Sequence, residues 1–170
     1  TVHHIGGRGG LRGFPIIPNV ERDIRSILFD ADPSCLDETL DYIQSLPSEN
    51  LVLPYCLGET RGSRKLHITK DPYASSLLMP ISTTSIIGSW LPLPDVECLV
   101  SEMLSVDSSV DVEVHRLDEL CALGLVPAPD FISLDTQGSE LEILRGAGEL
   151  LDRVVGVHVE IEFSPLYESQ

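Results

Sequence analysis

The run from Pro129 to Phe163 constrains the fold most. Apolar Phe131 to Asp135 reads as a short buried strand, Thr136-Gln137-Gly138 as a turn, Ser139 to about Leu151 as a helix, and Val154 to Phe163 as a second strand. Two strands joined through a helix lie parallel in one sheet, with a right-handed crossover. In open sheets of this kind ligands bind beyond the carboxyl ends of the strands, so Asp135 is expected at the rim of a small-molecule site.

The rest of the chain repeats this alternation. Thr1 to Ile5 reads as a strand entering the glycine turn Gly6-Gly7-Arg8-Gly9-Gly10, and Ser26 to Asp30 as a second strand. Asp32 is expected to cap a helix with Pro33 at its first position and Leu36, Leu40 and Ile43 on one stripe, ending before Pro47. Leu51 to Leu57 is a third strand, and Arg64 to Thr69 is expected to join a neighbour as a small hairpin added to the sheet. Asp71 to Pro94, rich in proline and Ser/Thr, reads as a long surface excursion. A helix over Asp95 to Leu104, a strand over Val110 to Val114 and a short helix from Leu117 follow. The expected fold class is therefore α/β, a mostly parallel sheet with helices on both faces.

On the last strand Val155, Val157, Val159, Ile161 and Phe163 face one way, and His158, Glu160 and Glu162 the other. A histidine and two carboxylates on one face need water or partners. That face is either one wall of a polar cleft or an ordinary exposed edge.

A length of 170 residues with 42% hydrophobic content fits one domain with a sizeable core. The chain opens at Thr1 with a strand already begun and stops at Gln170 soon after a strong strand, so residues 1–170 are expected to be a piece of a longer protein. A net charge of −16 disfavours nucleic acid and anionic lipid as partners. No window reaches the length of a membrane span. Cys35, Cys56, Cys98 and Cys121 show no CxxC or zinc spacing, so reduced thiols, no disulfide and a cytoplasmic location are expected. No cluster of residues suggests a metal site.

The glycine turn lacks both the GxGxxG register of a dinucleotide fold and the lysine of a P-loop, which argues against NAD and against a phosphate cradle. Asp30, at the end of the second strand, is placed to accept hydrogen bonds from ribose hydroxyls. A glycine turn able to bring backbone N–H groups to a ligand, followed by such an acid, describes a ribose-bearing cofactor that needs no phosphate cradle. S-adenosylmethionine suits that description better than NAD.

Several motifs in order resemble FkbM-type methyltransferases. Gly6-Gly7-Arg8-Gly9-Gly10-Leu11 is similar to that family's cofactor loop, and Phe29-Asp30-Ala31-Asp32-Pro33 to its ribose-binding turn. Cys56-Leu57-Gly58 with Gly62, Ala74-Ser75-Ser76-Leu77, Arg116-Leu117-Asp118-Glu119-Leu120, Asp130 to Ala147, and Val157 to Tyr167 resemble successive family motifs. The resemblance implies a Rossmann-like class I sheet over 1–170 that lacks a C-terminal antiparallel strand pair. It also implies an O-methyltransferase using S-adenosylmethionine on a hydroxyl of a sugar or natural-product-type small molecule. On this reading His4, Gly6, Gly7, Arg8, Gly9, Gly10, Asp30 and Asp118 bind the cofactor, and Ser75, Ser76 and Tyr167 line the acceptor pocket.

Methyl transfer to a hydroxyl requires alignment of donor and acceptor and removal of the hydroxyl proton. The base candidates are Asp135 and Glu160, with His158 third; the alternative for Asp135 is capping the following helix. Glu140 is expected to favour the helix N-terminus rather than perform chemistry. His4 departs from the pattern, since the family normally has an acid opening this loop. The alternative function is accordingly a degenerate methyltransferase-like domain serving as a binding or interaction module. The acceptor's identity and the oligomeric state are not legible.

Overall fold

The computed structural model describes residues 1–8, 23–35, 39–41, 44, 49–81, 94–163 and 165–170. Its strands are β1 (Val2–Ile5), β2 (Ser26–Phe29), β3 (Asn50–Leu53), β4 (Cys56–Leu57), β5 (Gly62–Thr69), β6 (Val106–His115), β7 (Phe131–Leu134) and β8 (Gly156–Val159). The α-helices described over their full length are α1 (Pro94–Met103), α2 (Leu117–Ala122) and α3 (Glu140–Ala147).

The main sheet runs β3-β2-β1-β7-β8 with every pairing parallel. Register places Ile5 between Phe29 and Leu134, and His3 between Ile27 and Ile132. Because side chains alternate across a strand, these residues share one face. Except for His3, they build the core there with Leu117 and Leu120 of α2 and Ile143 and Ala147 of α3. Each of the Ile, Leu and Phe side chains among them, once buried, contributes roughly 1.5–3 kcal/mol. The opposite face carries buried Leu28 and a polar row, His4, Ser133 and His158, side by side in register.

The apolar run 51–57 does not stay one strand. Pro54 lacks an N–H and biases the residue before it, so the chain leaves the main sheet after Leu53 and re-forms as β4 in a separate three-stranded sheet, β4-β6-β5. Nor does β5 make a local hairpin: it pairs antiparallel with β6, Gly62 opposite Val114 and Leu66 opposite Val110. The strand itself forms, but its partner is far along the chain. Exposed pairs such as Lys65–Asp111 (3.1 Å) run across this ladder and add little to stability.

Two elements are shorter than the sequence suggests. The helix after β7 ends at Ala147 and continues as a 3-10 segment, Gly148–Arg153; Gly148 has φ +51°, and a Cβ there would lie 2.8 Å from Asp118 Oδ2. Strand β8 ends at Val159, leaving Ile161 and Phe163 exposed beyond it. Helix α3 rests directly on the turn after β4, where a Cβ on Gly146 would lie 2.0 Å from the Gly58 carbonyl. That contact sets α3, and the turn before it, against the second sheet.

Of the helix expected over 32–47, residues 33–35 form a 3-10 turn and 39–41 are helical; Leu36, Ile43 and Pro47 lie outside the described residues. So does Trp90 in the excursion 71–94, whose start is a 3-10 turn at Pro72–Ala74. No helix among the described residues is long and apolar enough to cross a membrane. Cys35, Cys56 and Cys121 are free thiols.

Candidate active site

A cleft of about 710 Å³, counted to its open mouth, lies beyond the carboxyl ends of β1, β2 and β7. Gly6, Asp30 and Asp135 all line it, so the three elements singled out from the sequence converge at one sheet edge. Phe29, Leu57, Leu66 and Ile143 form apolar wall, and the segment from Pro72 to Leu77 closes the far side. The apolar walls and the few convergent polar groups suit a small organic ligand.

The turn after β1 is tight. Gly6 has φ +84°, and a Cβ on it would lie 1.7 Å from the Asp135 carbonyl oxygen, so only glycine fits between β1 and β7. The N–H groups of Gly6 and Gly7 donate to the Phe29 carbonyl at 3.0 and 2.9 Å. This corrects the expectation that those N–H groups face a ligand: they join β1 to β2. Arg8 pairs with Asp32 at 2.5 Å, both largely buried, and its guanidinium carbon lies 5.9 Å from the centre of the Tyr73 ring.

Asp30 accepts the Asp32 N–H at 2.9 Å. Burial pushes its pKa up, opposed by that hydrogen bond. Cys56, also on the cleft wall, is pushed up to about 12 by burial and stays a thiol near neutral pH.

The turn after β7 concentrates the remaining polar groups. Gln137 Nε2 donates to Asp135 Oδ1 at 2.9 Å and to Glu160 Oε2 at 2.8 Å. The Tyr167 hydroxyl lies 2.9 Å from the Ala74 carbonyl and 3.1 Å from Gln137 Oε1. Glu140 reaches back to accept from Thr136 N–H (2.8 Å), Thr136 Oγ1 (2.9 Å) and Gly138 N–H (3.0 Å), which fixes the turn's shape. A hydrogen bond with Asp135, then burial and nearby carboxylates, raise the Glu160 pKa to about 7. Burial raises that of Glu162 as well, and burial also keeps Tyr167 protonated.

The profile described as Methyltransferase FkbM domain matches residues 17–170. The chain belongs to the FkbM methyltransferase family. Among curated relatives, the 2-O-methyltransferase NoeI of Sinorhizobium fredii is 33% identical over 64 residues, 38% of this chain and 26% of that protein. The hexuronic acid methyltransferase AglP of Haloferax volcanii is 38% identical over 58 residues, 34% of this chain and 24% of that protein. The chain thus aligns with about a quarter of each relative's length. No solved structure matches it. The family match begins after the glycine turn, so the place of Gly6 at the cleft rests on the structure alone.

Not every residue expected to serve the site of this FkbM domain reaches the cleft. His4 lies under it, buried in β1, with Nδ1 3.1 Å from Ser133 Oγ; burial lowers its pKa to about 4, so the ring is neutral near pH 7. Ser133 Oγ is in turn 3.4 Å from His158 Nδ1, and His158 lies on the exposed end of this row, outside the cleft lining. Gly7 packs on Leu28 and Phe29 instead of facing the cavity. Asp118 is elsewhere, paired with Arg116, whose Nη1 reaches the Glu59 carbonyl at 2.6 Å. That clamp ties α2 to the second sheet and lies outside the cleft lining.

Ser75 and Ser76 line the cleft, with their hydroxyls also used locally: Ser75 Oγ accepts Thr69 N–H at 3.2 Å, and Ser76 Oγ donates to the Gln137 carbonyl at 2.6 Å. Tyr167 and Glu160 stand behind Gln137 and reach the cleft through it. Asp135 does not cap α3; it accepts from the Gln137 amide. Gly9 and Gly10 lie outside the described residues. The sequence reading missed Gln137, Tyr55 and Ser139, all of which line the cleft. Ser139 Oγ is buried without a hydrogen-bond partner. Among the described residues no group of three His, Cys, Asp or Glu is arranged to hold a metal.

Proposed function

We propose that this domain transfers a methyl group from S-adenosylmethionine to a hydroxyl of a sugar or natural-product-type small molecule. The carrying observation is that Gly6, Asp30 and Asp135 line one cleft at the carboxyl ends of adjacent parallel strands. The relatives' names, a 2-O-methyltransferase and a hexuronic acid methyltransferase, support a sugar-type acceptor.

The residues present fit the cofactor. Asp30 offers a carboxylate in a mostly buried position suited to two vicinal hydroxyls, and Ile5, Phe29, Tyr55 and Ile143 offer apolar surface for a nucleoside. When bound, the cofactor supplies an electrophilic methyl on a sulfonium. The chain's own task is to align the acceptor hydroxyl and take its proton. Asp135 faces the cleft and shares the Gln137 amide with Glu160, so the pair can hold the proton that leaves the hydroxyl. With Glu160 near 7, the ionised, accepting form of the pair grows as pH rises through neutrality. His4, the departure behind the alternative of a non-catalytic module, lies beneath the cleft as a neutral link between β1 and β7; that alternative predicts no binding of S-adenosylmethionine.

Calorimetric titration with S-adenosylmethionine tests the first half. Asp30→Ala is expected to weaken binding by about 1–3 kcal/mol, the range for leaving ligand donors unpaired; unchanged affinity rejects Asp30 as the ribose ligand. Asp135→Asn and Glu160→Gln are expected to lower turnover at least about tenfold with cofactor binding kept. Wild-type turnover in both rejects the pair as the base.

A further inference from the structure

Gln137 occupies backbone that favours glycine. Its φ of 60° lies in the left-handed region, which costs a side-chain-bearing residue about 1–2 kcal/mol, and Gly138 beside it takes φ 105°. Four hydrogen bonds hold Gln137 there. Its carbonyl accepts from Ser76 Oγ at 2.6 Å, Nε2 donates to Asp135 at 2.9 Å and to Glu160 at 2.8 Å, and Oε1 faces the Tyr167 hydroxyl at 3.1 Å.

The chemistry of the amide fixes its orientation. A carboxamide nitrogen carries two protons and accepts none, so Nε2 between two carboxylates gives one proton to each, and Oε1 must point the other way. The flipped amide would set its oxygen against two carboxylates. The single Tyr167 hydroxyl proton is shared between the Ala74 carbonyl and Gln137 Oε1, so it is the two carboxylates that decide the amide's orientation. Asp135 comes from the end of β7 and Glu160 from the residue after β8; Gln137 is the side chain seen to hold both.

We propose that Gln137 is a positioning residue that binds Asp135 and Glu160 into one proton-accepting unit and aims it at the acceptor hydroxyl. This rests on the assignment of that pair as the base under the proposed function. Two donated protons favour the ionised form, so the amide holds down a proton affinity that the surroundings raise. Glu140 at the start of α3 and Glu162 beyond β8 add negative charge beside Glu160. The Tyr167 hydroxyl is protonated, His4 is neutral, and His158 lies against Ser133. Without the amide, the pair should hold its proton to higher pH.

The test uses Gln137→Met, which keeps length and removes the donors, and Gln137→Glu, which keeps shape and replaces them with a third carboxylate. Carbon-13 carboxyl titration of the ligand-free protein reads Glu160 directly. Its midpoint is expected to rise by about one pH unit in the Met variant and further in the Glu variant. In turnover, kcat is expected to fall about tenfold with the KM for S-adenosylmethionine unchanged, and the acid limb of the pH profile to move up with the midpoint. If the Met variant fails to fold, the isosteric Glu variant decides. A Glu160 midpoint and acid limb at their wild-type positions overturn the proposal. If Asp135→Asn and Glu160→Gln keep wild-type turnover, the base assignment fails instead; if those lose activity while the Gln137 variants keep the wild-type profile, only the role of Gln137 fails.

Discussion

The turns that follow β1 and β7 lie side by side at the same end of the sheet, and both pass through left-handed backbone, yet they solve the problem oppositely. After β1 the residue is Gly6, because the Asp135 carbonyl occupies the space a side chain would need. After β7 it is Gln137, which accepts the conformational cost and places an amide between two carboxylates. One turn minimises atoms so that two strands can close; the other adds atoms so that a site can be built. Positive φ alone therefore says little about role. What the neighbouring atoms leave room for decides whether the position serves packing or chemistry.

The largest effect should come from giving the first turn a side chain. Gly6→Ala is expected to cost roughly 4 kcal/mol or more, since the new Cβ meets backbone 1.7 Å away and backbone cannot swing aside. A denaturant midpoint close to wild type would break the contrast. Next is the pH response of the strands beneath. Burial lowers His4 from 6.5 to about 4, so the unfolded chain binds the proton more readily between those values. The stability this neutral ring contributes is full above pH 6.5 and is lost as pH falls toward 4, by up to about 3 kcal/mol. The stability difference between wild type and His4→Gln should change by that order between pH 7 and 4. Glu160, raised to about 7, acts with the opposite sign: its contribution is full below pH 4.5 and lost as pH rises through 7. A pH-independent His4→Gln difference would remove His4 from this account.

Smaller effects separate the two turns further. Gly138→Ala should cost only about 1–2 kcal/mol, because the nearest atom, Leu78 Cδ1 at 2.9 Å, ends a flexible side chain and the positive φ is the main penalty. Gln137→Gly should leave stability within about 1 kcal/mol, since relief of backbone strain offsets the lost hydrogen bonds. Its turnover should nonetheless fall. Loss of stability with turnover intact would make the second turn as purely structural as the first.

Much of this was legible from local pattern. Phe131 to Leu134 and Ser26 to Phe29 are short apolar runs bounded by turns, and such runs have few alternatives to buried parallel strands. Their ends place Asp30 and Asp135 without further information, because chain direction fixes which end of each strand faces the site. The split of residues 51–57 is marked in the sequence by Pro54, whose missing N–H outweighs the continuity of the apolar run.

Other features belong to pairings between distant residues. That β5 meets β6 rather than a near neighbour depends on which strand edges remain after the main sheet forms. Asp118 and His4 stand in the expected motifs, but Arg116 and Ser133 engage them away from the cleft. Gln137 carried no distinguishing mark in the sequence, since an amide in a polar turn is ordinarily just solvated. Its role arises only when the crossover through α3 returns the chain and ends β8 one residue before Glu160. Periodicity and chain direction are local and suffice to name the parallel sheet and its working edge. Which carboxylates meet, and what holds them, is set by the register of strands far apart in the chain, and only folding brings that about.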